Sequence, residues 1–198
     1  DKNLFKVLLV QFVSLKRGGA KVSMSTRSGE FETLTDVINE VGVDATRFFF
    51  LMRSSDSHLD FDLELAKKES PENPVFYIQY AHARICSIFR NAAEQGLILS
   101  KSTDIDLTLL KEVEELSIIK KILAFTEIVE KSAQSLEVHR IAFYLQDLVG
   151  AFHSYYSRHR VVGEDRALSS ARLFLMDCLR VTIFNALSVM GVSAPERM

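Results

Sequence analysis

The chain has 198 residues, of which 47% are hydrophobic and 25% are charged, proportions that are ordinary for a globular protein. Its formal net charge of −2 does not indicate a broad basic face, so any contact with nucleic acid must be local. We expect neither a membrane span nor a signal peptide. Cys86 and Cys178 lack metal or redox spacing, which predicts reduced core thiols and a cytoplasmic protein without a metal centre.

The chain opens with a predicted β-hairpin. Residues 6–15 are rich in Val, Leu and Phe, and residues 21–24 form a second short extended piece. Between them, residues 16–19 (KRGG) supply the positive φ angles that a hairpin turn requires. A strand pair alone is marginal in water, so we expect this hairpin to belong to a larger sheet and the chain to begin inside a larger domain.

A polar loop and two helices are predicted next. The loop at residues 23–31 (SMSTRSGEF) has no glycine spacing of the GxxxxGK type and is therefore not a P-loop. Thr33 or Thr35 is expected to cap a short helix that ends at Gly42. Asp44 is expected to cap a second helix over residues 45–53, which is apolar on most faces and must be buried on more than one side.

The segment that follows, SSDSHLDFD, holds one histidine and three carboxylates that could in principle bind a divalent cation: His58, Asp56, Asp60 and Asp62. We favour a structural interpretation. Asp62 is a natural helix N-cap, and the segment lacks the turn-forming glycine of a calcium-binding loop.

A long helix is predicted to begin at Pro74, because proline suits a first helical position. Its apolar positions recur at spacings of three and four and predict a core-facing stripe: Ile78, Ala81, Ile85, Ile88 and Ala92. Gln79, His82 and Arg90 fall elsewhere on the helical wheel.

Almost everything after this helix is predicted to be helical. Residues 110–131 form one or two amphipathic helices, in which Glu112, Glu114 and Glu115 indicate a solvated acidic face. A last helix opens at residues 164–165 and is stopped by Gly191.

Residues 139–160 (HRIAFYLQDLVGAFHSYYSRHR) carry two lines of side chains. One line is apolar and predicts a core stripe: Ile141, Leu145, Leu148, Phe152 and Tyr155. The other contains His153, Tyr156 and Arg160, an alternation of aromatic and cationic groups that can stack a base and hold a phosphate. These groups could equally close the core and complement a helix C-terminus, and the residues alone leave the two interpretations balanced.

Four segments resemble known sequences in the expected order. The run YIQYAHARICSIFR resembles the opening of the anticodon-binding domain of arginyl-tRNA synthetase, and SMSTR is similar to the KMSKS signature loop of class I aminoacyl-tRNA synthetases. The segment RALSSARL resembles the DALR-type helix, and GVSAPERM resembles the end of the arginyl enzymes. The resemblance covers almost the whole chain and is loosest over residues 95–134.

The resemblance implies a mainly helical fold. Residues 1–72 would end a class I, Rossmann-type catalytic domain with the signature loop and stem-contact helices, and residues 73–198 would form a helical anticodon-binding bundle. The loop residues implied to stabilise ATP phosphates are Lys21, Ser23, Met24, Ser25, Thr26 and Arg27, with Ser23 and Thr26 in place of the two lysines. The implied tRNA contacts are Tyr80, Arg84, His153, Tyr156, Arg160, Arg197 and Met198.

The resemblance also implies an activity for the parent protein, the ATP-dependent joining of arginine to its tRNA with magnesium. Its partners would be tRNA, ATP and arginine, without membrane or DNA. The HIGH signature and the amino-acid pocket are not in this sequence, so the isolated chain is expected not to aminoacylate. An alternative is a non-catalytic helical module that binds tRNA or a protein partner. The cysteinyl enzyme is disfavoured because no zinc-ligand spacing is present.

Overall fold

The computed structural model describes residues 5–22, 32–99 and 102–198, and this part of the chain is mainly helical. Its strands and α-helices, in chain order, are β1 (Val13–Arg17), β2 (Ala20–Lys21), α1 (Leu34–Val41), α2 (Val43–Leu51), β3 (Leu59–Asp62), α3 (Leu63–Lys67), α4 (Pro74–Glu94), α5 (Val113–Ser135), α6 (His139–Arg158) and α7 (Arg166–Val189). Within these ranges, no helix combines the length and hydropathy that crossing a membrane demands.

The predicted hairpin is present, but its first strand is shorter and lies later in the chain than expected. β1 pairs with β2 in antiparallel fashion, and the turn consists of Gly18 and Gly19, whose φ angles are 58° and 80°. The start of the predicted strand, residues 6–12, forms no ladder in the described part of the chain; Gln11 N donates a single hydrogen bond of 3.0 Å to Ser55 O. A strand needs a continuous partner, which an apolar sequence by itself does not supply.

A third strand, β3, was not predicted. It pairs in parallel with the far side of β1, so the sheet order is β2-β1-β3. Leu15 and Phe61 lie opposite each other and are both buried, and Phe61 packs against the Phe49 ring with a centroid distance of 5.3 Å. The sheet is therefore held to α2 by aromatic packing.

The segment considered as a possible metal site has a structural role instead. Asp62 accepts hydrogen bonds from the backbone of Glu64 and Leu65 and caps α3, as expected. Asp60 forms an ion pair of 2.7 Å with Lys16 on β1. These carboxylates hold β3 and α3 in place.

Helix α1 is capped by Thr33, whose side chain accepts from Asp36 N, and it ends at Gly42 as predicted. The expectation that Asp44 caps the next helix is wrong. α2 begins one residue earlier, at Val43, with Gly42 as its N-cap, and Asp44 lies in the first turn. Its carboxylate is bonded to distant residues instead, which a local reading of capping patterns does not anticipate.

Helix α4 begins at Pro74 as predicted. Asn73 is buried and caps it: its Oδ1 accepts from Val75 N at 3.2 Å, and its Nδ2 donates to Ala66 O and Lys68 O at 3.0 Å each. The predicted core stripe of α4 is buried. Gln79 and His82 are also buried, because residues 191–198, which we call the tail, cover a second face of the helix.

Helices α6 and α7 pack on α4 and on each other, α5 packs on α6 and α7, and α2 packs against α4 and α6. The predicted apolar stripe of α6 is fully buried, and α6 ends at Arg158, before Arg160. α5 is a single helix.

The expected solvated acidic face at the start of α5 is wrong for Glu115. This residue is completely buried, and its Oε1 accepts from Arg172 Nε at 2.8 Å. Its Oε2 accepts from Glu112 N at 3.1 Å, which closes the first turn of α5. Glu112 itself is exposed, as expected.

Candidate RNA-binding surface

Three of the predicted contact residues meet between α4 and α6. Tyr80 and Arg84 lie one turn apart on α4, and Tyr156 extends from α6 toward them. The Arg84 guanidinium carbon lies 5.1 Å from the centroid of the Tyr80 ring and 4.9 Å from that of the Tyr156 ring. Both distances are within the range of cation–π attraction, so the two rings hold the guanidinium between the helices.

His153 lies behind this group. Its ring centroid is 4.5 Å from that of Tyr77 and 6.1 Å from that of Tyr80, whose plane it nearly parallels. Burial lowers the pKa of His153, and its Nε2 is buried without a hydrogen-bond partner among the described residues. A neutral imidazole at this place supports the Tyr80 ring and adds no positive charge.

A groove of about 450 Å³ opens over Arg84. The residues that line it come from α4, α6 and the tail: Tyr80, Ala83, Arg84, Ser87, Arg90, Tyr156, Arg197 and Met198. Of the predicted tRNA contacts, all but His153 and Arg160 line this groove. The tail thus brings Arg197 and Met198, more than a hundred positions away in the sequence, to the residues of α4.

Arg160 lies in a neighbouring groove of about 410 Å³. Its lining residues are Ser87, Ile88, Asn91, Gln95, Tyr156, His159, Arg160, Val161 and Val162. Ser87 and Tyr156 line both grooves, so the two form one continuous surface. Arg172 Nη1 donates to Arg160 O at 2.8 Å and fixes the segment that follows α6.

Several residues of this surface were not predicted. Ser87 and Asn91 continue the line of Tyr80 and Arg84 along α4 at spacings of three and four, and Arg90 lies at its margin. Because these spacings place residues on one face of a helix, this line could have been predicted from the sequence. From the sequence, Arg90 was predicted to lie outside the core stripe, but it was not predicted to contact tRNA.

The charge of the surface is concentrated in arginine side chains. Among the ion pairs of the described residues, none involves the arginines that line the two grooves, namely Arg84, Arg90, Arg160 and Arg197. By contrast, the nearby arginines Arg158 and Arg172 are paired with Glu114 and Glu115. A chain with a net negative charge can therefore still offer unneutralised cations to a phosphate backbone at this place.

Most of the predicted ATP-binding loop lies outside the residues that the structure describes. Ser23, Met24, Ser25, Thr26 and Arg27 lie outside the described residues. Lys21 is an exposed residue at the end of β2.

One group in the described part of the chain has the composition of a metal site, Glu112, Glu114 and His159. Glu114 is already engaged by Arg158 Nη1 at 2.8 Å, and Glu112 takes part in the capping of α5. The arrangement is explained by these structural contacts, and we assign it no metal.

The chain was compared with protein families and with known proteins. The profile of the DALR anticodon binding domain matches residues 78–198. An arginine–tRNA ligase of Syntrophotalea carbinolica is 55% identical over 193 residues, which are 98% of this chain and 35% of that protein. One from Citrifermentans bemidjiense is 56% identical over 199 residues, covering 100% of this chain and 36% of that protein. The chain therefore spans about a third of the length of these relatives.

Solved structures agree. A Campylobacter jejuni arginyl-tRNA synthetase structure aligns with a TM-score of 0.83 and 32% identity over 96% of this chain and 40% of that one. The Thermus thermophilus arginyl-tRNA synthetase aligns with a TM-score of 0.68 and 26% identity over 87% of this chain and 29% of that one. The mainly helical fold expected from the sequence is confirmed.

Proposed function

Because the chain belongs to the family of DALR anticodon binding domains, we propose that it forms the anticodon-binding part of an arginine–tRNA ligase. The groove between α4, α6 and the tail would receive bases of the anticodon loop. The observation that carries this proposal is the Arg84 guanidinium held between the Tyr80 and Tyr156 rings in a groove lined by further arginines.

The chemistry of the groove suits single-stranded RNA. Unstacked bases bind proteins by stacking on aromatic rings and on arginine guanidinium planes, and both kinds of surface are present around Arg84. Arg90 and Arg197 form no ion pair among the described residues and can hold the flanking phosphates. Stacking and phosphate contacts together need only a local basic surface, which is consistent with the net charge of −2.

We propose the remaining functional assignments on the strength of the family. Residues 1–72 would complete a class I catalytic domain, and residues 73–198 would form the anticodon-binding domain. Residues 21–27 would stabilise the phosphates of ATP, with magnesium, when arginine is activated for transfer to tRNA in the cytoplasm. The chain alone would not charge tRNA, since the HIGH signature is not in its sequence.

The proposal can be tested by measuring the affinity of the chain for the anticodon stem-loop of an arginine tRNA, with the same stem closed by an unrelated tetraloop for comparison. We expect preferential binding of the native loop and a loss of about tenfold to a hundredfold for Arg84→Ala, since base stacking contributes about 1–3 kcal/mol per base. Arg84→Lys separates two effects, because it keeps the charge but loses the planar group that fits between the rings.

Arg140→Ala is the matched control. Arg140 is exposed, pairs with Glu137 and lies at the opposite end of α6 from Tyr156, so its loss should leave the affinity unchanged. Equal affinity for both RNAs, with Arg84→Ala no weaker than Arg140→Ala, would contradict the proposal. That result would favour the non-catalytic interaction module considered from the sequence.

A further inference from the structure

The tail turns back from α7 and runs along α4. The turn is made at Gly191, whose φ is 66°, and Val192 N donates to Leu187 O at 3.0 Å. The Val192 side chain is buried. After this residue the tail is held mainly by side chains of other elements, which contact its backbone at three successive points.

The first point is a closed group of three side chains from α2, α4 and the tail. Asp44 Oδ1 accepts from Ser193 N at 3.1 Å, and Asp44 Oδ2 accepts from Gln79 Nε2 at 2.8 Å and from the Ser193 hydroxyl. Gln79 Nε2 also donates to Ser193 O at 3.0 Å. The carboxylate that failed to cap α2 thus binds the tail to two helices at once.

The second and third points follow along α4. His82 is buried, and its Nδ1 lies 2.9 Å from Pro195 O. A carbonyl oxygen only accepts, so Nδ1 carries the proton. Two turns further on, Arg90 Nη1 donates to Glu196 O at 3.3 Å. The three α4 residues lie on one face of the helix, and each engages a backbone carbonyl of the tail.

We propose that Asp44, Gln79 and His82 are positioning residues, which hold the tail so that Arg197 and Met198 line the RNA groove. The inference rests on the proposed function for its consequence in RNA binding. Arg197 and Met198 follow directly after the last anchored carbonyl, so their place in the groove depends on the anchors before them. Because Asp44 belongs to α2, that place also depends on the packing of α2 against α4.

The position of the tail can be measured without RNA. Met198 lines the same groove as Tyr80 and Tyr156, so we expect the ring currents to displace its methyl NMR signal from the random-coil value. In Asp44→Ala we expect this signal to move to the random-coil value and the Ser193 amide to lose its protection from hydrogen exchange. Ser193→Ala, at an exposed position that leaves the core untouched, should move the signal in the same direction by less.

RNA affinity then tests the consequence with a double-mutant cycle. Asp44→Ala should weaken binding of the anticodon stem-loop about threefold to tenfold, because it disturbs only the contacts of Arg197 and Met198 and leaves Arg84 and its rings in place. In the Arg197→Ala/Met198→Ala background the same change should have no further effect, because there is no contact left to position. Asp56→Ala, which alters an exposed carboxylate bonded to Ser54, is the control and should change neither measurement.

Two results would overturn the inference. One is an unchanged Met198 signal and a protected Ser193 amide in a folded Asp44→Ala variant. The other is an equal loss of affinity in both backgrounds, which would show that Asp44 acts independently of the tail. Failure of the proposed function gives a different pattern, in which the native and tetraloop RNAs bind equally well while the tail still moves in Asp44→Ala.

Discussion

The buried ion pair between Glu115 and Arg172 makes the sharpest prediction about stability. The Glu115 side chain is fully buried and that of Arg172 is 12% exposed, and Nε and Oε1 are 2.8 Å apart. Replacing Arg172 by Met keeps most of the side-chain volume but removes the charged donor, so that among the described residues the carboxylate keeps the backbone donor Glu112 N. An uncompensated buried charge of this kind costs about 3–5 kcal/mol of the free energy of unfolding.

Arg180→Met is the matched control on the same helix. Arg180 pairs with Asp177, and the side chains are 34% and 27% exposed, so solvent already screens this pair. Losing such a pair costs about 1 kcal/mol or less. The double variant Glu115→Leu/Arg172→Met should recover most of the loss, because it removes both charges and fills the site with apolar groups.

Urea unfolding followed by circular dichroism gives the free energies, which are compared at constant m value. The reasoning would be refuted if Arg172→Met and Arg180→Met were equally destabilised, or if the double variant were less stable than Arg172→Met. Either result would mean that the Glu115 carboxylate reaches water or finds another donor when Arg172 is absent.

Three further outcomes are expected from urea unfolding. Asn73→Ala should lose about 2–3 kcal/mol, since it removes the cap of α4 and two bonds to α3 and the segment after it; a change below about 0.5 kcal/mol would contradict this. Gly191→Ala should lose about 1–2 kcal/mol, because φ is 66° and the added Cβ would lie 2.7 Å from Arg47 Nη1. Hydrogen bonds from Arg17 and Lys67 lower the pKa of Glu40 from 4.5 to about 2, so its stabilising contribution, present above pH 4.5, should disappear as the pH falls toward 2. In Glu40→Gln, the free energy of unfolding should therefore depend less on pH between about 2 and 4.5.

The core-facing sides of the long helices could be predicted from the sequence, because they depend on the spacing of nearby residues. The core stripes of α4 and α6 follow from apolar residues repeated every three or four positions, and the structure buries them. β3 was missed because its partner, β1, is more than forty residues away, and its four residues alternate too briefly to give a signal. The sequence also predicted too long a strand before β1, where an apolar run has no pairing partner among the described residues.

Roles that depend on distant partners were missed for the same reason. Asp44 fits a capping pattern locally, yet it binds Ser193, 149 positions away. Glu115 belongs to an acidic run that is typical of a surface, yet its partner, Arg172, is 57 positions away. In most proteins, an aspartate at such a position caps a helix and a glutamate in an acidic run lies at the surface. Tertiary contacts decided the outcome in both cases.

The helical period explains how α4 serves the core, the tail and the candidate RNA surface at once. At about 100° per residue, its side chains divide into three faces, each about a third of the wheel. One face carries the buried apolar stripe, the second anchors the tail through residues such as His82, and the third carries Tyr80 and Arg84. The groove is thus built on a helix that is fixed on its other two sides, which limits the freedom of the guanidinium and its rings before RNA arrives. A binding surface prepared in this way loses less conformational entropy on association, so the proposed binding of a flexible RNA loop would require only a local group of cationic side chains.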